Sequence, residues 1–135
     1  MKISVIEDAM IALDNLAETL VHDGHEVQSI HVVDSEDSFF QFMGREEGII
    51  YCGTPKEIVA AVAAFQPDRV LLDHDLKMKF TGKDVAEALQ LPRERIIGTS
   101  THFDQKYAAR IFRLKGMLSR RPEEEYAQQL LAMLE

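Results

Sequence analysis

The residues best suited to chemistry in this sequence are acids, and they fall where apolar runs stop. Ile3 to Ile6 is followed by Glu7-Asp8, and Val70-Leu71-Leu72 by Asp73-His74-Asp75. Two further runs end in hydroxyl and basic groups. Arg95 to Thr99 leads into Ser100-Thr101-His102, and Gly116-Met117-Leu118 into Ser119-Arg120-Arg121. If the first and third strands lie side by side, Glu7, Asp8 and Asp73 converge. Crowded carboxylates repel one another, so some must take a proton or a cation. A hard divalent ion such as Mg2+ accepts one or two carboxylates plus waters and leaves positions for phosphate oxygens. Ser100 and a cation from Lys115, Arg120 or Arg121 would supply the remaining contacts to a phosphoryl group. A nucleophilic carboxylate, a metal, a hydroxyl and a cation together suit phosphoryl transfer to an aspartate. Any one of these acids alone is as well explained by capping a helix. The coincidence at several run ends carries the argument.

The elements that must position these groups alternate. Ile3 to Ile6 has the pattern of a buried strand. Met10, Leu13, Leu16, Ala17 and Leu20 share a helical face, which ends near Asp23-Gly24. His25 to Val33 is a second strand. Thr54-Pro55 opens a helix carrying Ile58, Val59, Val62 and Phe65, with Thr54 as N-cap. Val70 to Leu72 is a continuous apolar run of the kind found in central parallel strands. Thr81-Gly82 precedes a helix with Val85, Ala86 and Leu89, and Arg95 to Thr99 is the fourth strand. The spacing of Tyr107, Ile111 and Phe112 predicts a helix over 104–114, and Gly116 to Leu118 reads as a brief last strand. Pro122 starts a final helix with Tyr126, Ala127, Leu130 and Leu134 inward. Strands separated by helices imply an α/β fold with a parallel sheet covered on both faces. Such a sheet gathers its functional groups beyond the strands' carboxyl ends.

One segment, about 34–53, is long for a loop in a compact domain. It carries Phe39, Phe40, Phe42, Ile49, Ile50 and Tyr51, too apolar to stay solvated. A short helix or an added strand is expected there, with Ile49 to Cys52 the strand candidate.

The 135 residues suit one domain, 1–135, with 46% apolar and 28% charged residues. The net charge of -8 repels phosphate backbones, so direct nucleic-acid binding is not expected. No apolar run approaches about 18 residues, so no membrane span is expected. The single cysteine, Cys52, offers neither an internal disulfide nor a cysteine-based metal site. Acids interrupt the N-terminus too early for a signal peptide, and the expected compartment is the cytoplasm.

Over nearly the whole chain the sequence resembles the receiver domains of two-component response regulators. The resemblance rests on Val5-Ile6-Glu7-Asp8, Asp68 to Asp73, Thr81-Gly82, Ile96 to Thr101 and Arg121-Pro122. It implies a flavodoxin-like, doubly wound sheet of five parallel strands in the order 2-1-3-4-5. It implies that Glu7 and Asp8 help hold Mg2+ and that Asp73 is the phosphoacceptor. Asp75 would supply a backbone carbonyl to the metal, and Ser100 the hydroxyl that bonds the phosphoryl group. Asp75 and His102 flank the phosphoryl site at positions that would tune its lifetime. The family's lysine before a proline appears as Arg121, with Lys115 as the substitute if the last strand is shifted. Arginine keeps the charge but changes the donor geometry. Thr101 stands where a small residue is usual, Met117 where an aromatic is common, and the loop after Asp73 lacks the family's proline.

The implied function is signal relay by a stand-alone receiver and not by an enzyme, beyond the self-phosphorylation and autodephosphorylation of a receiver. A histidine kinase or phosphotransfer protein would donate the phosphoryl group. An output protein, or a second copy in a homodimer, would read the result. Two alternatives stand beside it. One is a phosphorylation-independent pseudo-receiver that only binds. The other is a cyclic-phosphate or phosphate-ester hydrolase. Leu72 to Leu76, with Thr81 to Ala86, also resembles a receiver-like subgroup proposed to process cyclic phosphates.

Overall fold

A computed structural model of the chain describes residues 1–34, 46–100, 103–113, 117–118 and 124–135. Among the described residues six parallel strands form one sheet. They are β1 (Lys2–Glu7), β2 (Glu26–Val32), β3 (Ile49–Cys52), β4 (Arg69–Leu72), β5 (Ile96–Gly98) and β6 (Arg110–Ile111), in the spatial order β3-β2-β1-β4-β5-β6. The helices are α1 (Met10–His22), α2 (Pro55–Phe65), α3 (Gly82–Leu89) and α4 (Glu124–Ala132). The doubly wound order holds from β2 to β6, and β3 is added outside it, parallel to β2. That added strand is Ile49 to Cys52.

Period-two alternation in the strands builds two cores. Ile6, Ile30, Val70, Leu72 and Ile96 pack with Ile58 and Val62 of α2 and Val85 of α3. On the opposite face Ile3, Val5, Leu71 and Ile97 pack with Leu13, Leu16 and Leu20 of α1 and Leu130 of α4. Both faces are therefore covered. Burying each such Leu or Ile contributes roughly 1.5–3 kcal/mol. Local signals agree at the helix ends. Thr54 Oγ1 accepts from the Glu57 N–H at 3.2 Å, and Gly24 takes φ 90 after α1. No described helix is long and apolar enough to cross a membrane.

The C-terminal third departs from the sequence expectations in two places. Among the described residues the helix expected over 104–114 is absent: residues 105–107 form a turn, and Arg110–Ile111 is β6, paired with Ile97 and Gly98. Ile111 packs on the α2–α3 core, whereas Phe112 belongs to the α1–α4 core. Adjacent residues on opposite faces are strand geometry, and this overrides the helical spacing of Tyr107, Ile111 and Phe112. The described part of the last strand expected at 116–118 is not a strand either. Met117 and Leu118 lie in a short helical turn, with Met117 fully buried in the α1–α4 core. Its carbonyl accepts from Asn15 Nδ2 at 2.6 Å.

The described part of the β5–β6 connection therefore carries no helix. It is held by contacts instead. Gly98 makes room for the Phe103 ring, since a Cβ there would lie 2.7 Å from Phe103 Cγ. Tyr107 Oη donates to Glu87 Oε1 at 2.6 Å, tying the turn to α3, and the Ala109 N–H donates to Arg93 O at 2.9 Å.

Candidate functional site

The register fixes which strand-end side chains become neighbours. Ile6 pairs with Leu72, and Leu72 with Gly98, so Glu7, Asp73 and Thr99 follow one another across β1, β4 and β5. The Asp73 N–H donates to Ile6 O at 3.3 Å and the Thr99 N–H to Leu72 O at 3.0 Å, continuing the ladder past the strand ends. Val5, Leu71 and Ile97 precede them by two residues and face the α1–α4 core. Alternation therefore puts Glu7, Asp73 and Thr99 on that same side.

This row is buried to an unusual degree for polar groups. Glu7 is 0% exposed, Asp73 6% and Thr99 1%. Glu7, Asp8 and Asp73 each offer a carboxylate oxygen, and the three oxygens lie within 4.8 Å of one another. Glu7 Oε1 accepts from the Asp8 and Ala9 N–H groups, each at 3.2 Å. Glu7 Oε2 and Thr99 Oγ1 are buried with no hydrogen-bond partner among the described residues. The described side chains that act on Glu7 are the carboxylates of Asp8 and Asp73, and these bond to it only when one of them carries a proton. Burial first, and then the Asp73 charge, push the Glu7 carboxyl up to about 10. Burial also raises Asp73, against the backbone N–H groups of His74 and Asp75, which stabilise its charge.

These residues fit a divalent cation. An orphaned buried oxygen and a carboxyl that resists ionisation are what a missing positive charge leaves behind. The donors are all hard oxygens, which matches Mg2+ and not a thiolate- or imidazole-seeking metal.

The backbone at Asp73 is held by α3. Gly82 N donates to His74 O at 2.8 Å, and a Cβ on Gly82 would lie 2.0 Å from Asp73 O. Only glycine lets the helix start so close, which is the physical content of the Thr81-Gly82 pair. Asp84 Oδ2 accepts from the Thr81 N–H at 2.8 Å and closes that N-terminus. His74 points to the other face, edge-on to Phe103 with ring centroids 6.1 Å apart.

Of the sequence-derived candidates, Glu7, Asp8 and Asp73 come together. Ser100 is half-buried one residue beyond the row, with its carbonyl accepting from the Phe103 N–H at 3.1 Å. The Asp75 carboxylate is exposed and bonded to Lys77 at 2.9 Å, which holds it below the usual carboxylate range. His102, Lys115 and Arg121 lie outside the described residues, as do Thr101 and the cluster of Phe39, Phe40 and Phe42.

Three residues at the site were not singled out from sequence. Thr99 was legible in principle, from the parity it shares with Ile97. Lys77 sits in the loop after Asp73 with φ 57. Proline, fixed near -65°, cannot take that conformation. His31 lies opposite Glu7 in register, and its Nε2 is 2.9 Å from Asp8 O. Its ring also packs edge-on against Tyr51, with centroids 5.4 Å apart, and no motif marks it.

No family model matches this sequence, and no curated protein matches it. Solved structures do. A CheY-like response regulator receiver domain from Methylobacillus flagellatus superposes with TM-score 0.57 at 14% identity, over 100% of this chain and 98% of that one. The signal receiver domain of a modulated diguanylate cyclase from Desulfovibrio desulfuricans gives TM-score 0.54 at 18% identity, over 98% and 90%. The N-terminal domain of the nisin resistance regulator NsrR gives 0.53 at 20% identity, over 99% and 97%. The class is thus an α/β doubly wound domain with an acidic site at its strand ends. Within that class the chain has the receiver-domain fold.

Proposed function

We propose that this chain accepts a phosphoryl group on Asp73 and relays it as a signal, with Mg2+ as its metal. The observation that carries this is the buried row Glu7–Asp73–Thr99, with orphaned polar atoms on both sides of the acceptor. An Asp73 oxygen forms the new bond to phosphorus as the donor's bond to phosphorus breaks. The departing acetate oxygen or histidine nitrogen keeps the electron pair. Glu7 and Asp8, with Asp73, would hold the metal, whose positive charge would offset that of the phosphoryl oxygens. Thr99 lies beside the acceptor, so its hydroxyl is placed to donate to a phosphoryl oxygen, with Ser100 as the neighbouring donor. The position of β6 favours Lys115 over Arg121 as the remaining cation. Lys115 follows β6 by four residues, and Arg121 by ten.

A histidine kinase or phosphotransfer protein is the proposed donor, and a partner protein or second copy the reader. The proposed compartment is the cytoplasm. The test is intact-mass analysis after incubation with acetyl phosphate and Mg2+. A labile phosphoryl adduct that disappears in Asp73→Asn supports the relay. Its absence in the parent supports a pseudo-receiver that only binds.

A second reading, hydrolysis of a cyclic phosphate or phosphate ester, rests on the likeness of Leu72 to Leu76 and Thr81 to Ala86 to the receiver-like subgroup. Turnover of a cyclic phosphate without a lasting adduct identifies that activity.

A further inference from the structure

We propose that Lys77 is a tethered cation of the Asp73 site. It rests on Asp75 in the free protein, and its ammonium moves to the phosphoryl group once Asp73 carries one. This rests on the phosphoryl-acceptor function proposed above.

The turn after Asp73 is built for such a hand-over. Leu76 is buried at 1% exposure and anchors it, so Asp75 and Lys77 leave the fold on either side of one fixed point. Asp75 Oδ1 accepts from the Lys77 N–H at 3.3 Å, and Asp75 Oδ2 receives the Lys77 ammonium at 2.9 Å. With φ 57 at Lys77 the backbone doubles back, and Lys77 joins Asp8, His31 and Met78 in lining a cleft of about 200 Å³. Asp8, one of the carboxylates proposed to hold the metal, thus lines the same cleft as Lys77.

Little holds the lysine where it is. Both side chains of the pair are largely exposed, 73% and 64%, and exposed ion pairs are weak. The ammonium is a point charge on a flexible stem and needs no fixed donor geometry. The fields of Asp8 and Asp73 already act on it. A phosphoryl group on Asp73 adds negative charge on that side of the turn, while the single charge of Asp75 stays as it was. The balance then tips toward the phosphoryl oxygens, which accept strong charge-assisted hydrogen bonds.

Binding of beryllofluoride with Mg2+, measured by calorimetry, and the adduct lifetime after acetyl phosphate, measured by intact mass, test this together. Lys77→Met is expected to weaken beryllofluoride binding roughly threefold to tenfold. Lys77→Arg should keep most of the affinity. Asp75→Asn should tighten binding by freeing the lysine. In the Lys77→Met background the same change should bring no gain, because its effect passes through Lys77. A gain from Asp75→Asn that persists without Lys77 is simple charge removal and overturns the proposal. So does a Lys77→Met protein that matches the parent in affinity and lifetime. A parent that binds no beryllofluoride and forms no adduct overturns the phosphoryl-acceptor function, and this proposal with it.

Discussion

Strand β1 buries two polar side chains three residues apart, and they meet opposite fates. Ser4 and Glu7 are both 0% exposed. Ser4 Oγ donates to Gln28 Oε1 at 2.6 Å, and Gln28 Nε2 donates to Ala61 O at 2.9 Å. That chain is neutral and closed, and it ties β1 through β2 to α2. Glu7 is charged when ionised, faces two other acids, and keeps an orphaned oxygen. Burial alone does not mark a site, because Ser4 is as buried as Glu7. Incomplete satisfaction does, since an unpaired buried polar group costs stability that a ligand can return.

The largest way to break the comparison is to remove the acceptor. Asp73→Asn should abolish the acetyl phosphate adduct completely, whereas Ser4→Ala should leave its stoichiometry on folded protein unchanged. An adduct that survives Asp73→Asn would put the acceptor elsewhere.

The next effect is on stability, and the two regions should answer with opposite signs. The folded Glu7 carboxyl is raised from 4.5 to about 10, so it favours the protonated form more than the unfolded chain does. Its contribution is complete below 4.5 and is lost as pH rises toward 10. In EDTA the melting temperature should fall across that window, with a slope on the order of 1 kcal/mol per pH unit for this group. Glu7→Gln should flatten the slope and raise stability at pH 7. Mg2+ should restore the parent by mass action, about 2.7 kcal/mol at a hundred times its Kd, and Asp8→Ala should blunt that response. Binding at pH 7 should also release about one proton, seen by calorimetry in buffers of different ionisation heat. A flat pH profile in EDTA would mean that the row is already paired.

At the closed chain the sign reverses. Ser4→Ala leaves Gln28 Oε1 without its donor and should cost about 1–3 kcal/mol by urea denaturation. Removing both polar groups, in Ser4→Ala with Gln28→Leu, should recover much of that loss. If Ser4→Ala stabilises the protein, the two regions do not differ in kind.

How far the sequence reached follows from the same physics. β1, β4 and β5 were legible because buried parallel strands are mostly apolar, and their polar ends stand out. The convergence of Glu7, Asp8 and Asp73 is therefore readable from the residue pattern alone. The described stretch 104–113 was not legible. Tyr107, Ile111 and Phe112 match a helical period by spacing, and only the packing of Ile111 and Phe112 on opposite faces identifies a strand. Shifting the last strand from 116–118 to Arg110–Ile111 moves the expected cation from Arg121 to Lys115, the substitute tied to that shift. The Asp75–Lys77 pair was hidden for another reason. It depends on a positive φ, and in a lysine no composition rule signals that.

The choice between Ser100 and Thr99 is the finest test of the comparison. Motif position pointed to Ser100, but register and parity put Thr99 beside Asp73. The Thr99 hydroxyl is buried and without a partner among the described residues, so in the free protein it contributes only the cost of its desolvation. Thr99→Val keeps the branched shape and removes that hydroxyl. It should leave the metal-free protein as stable as the parent, or more stable by up to about 1 kcal/mol, the opposite of what Ser4→Ala does. The loss should appear only when a phosphoryl group arrives and finds no donor there. Beryllofluoride affinity should fall on the order of tenfold in Thr99→Val, and less in Ser100→Ala. If Ser100→Ala carries the larger loss and Thr99→Val destabilises the free protein, Thr99 is a satisfied structural residue. The row then ends at Asp73.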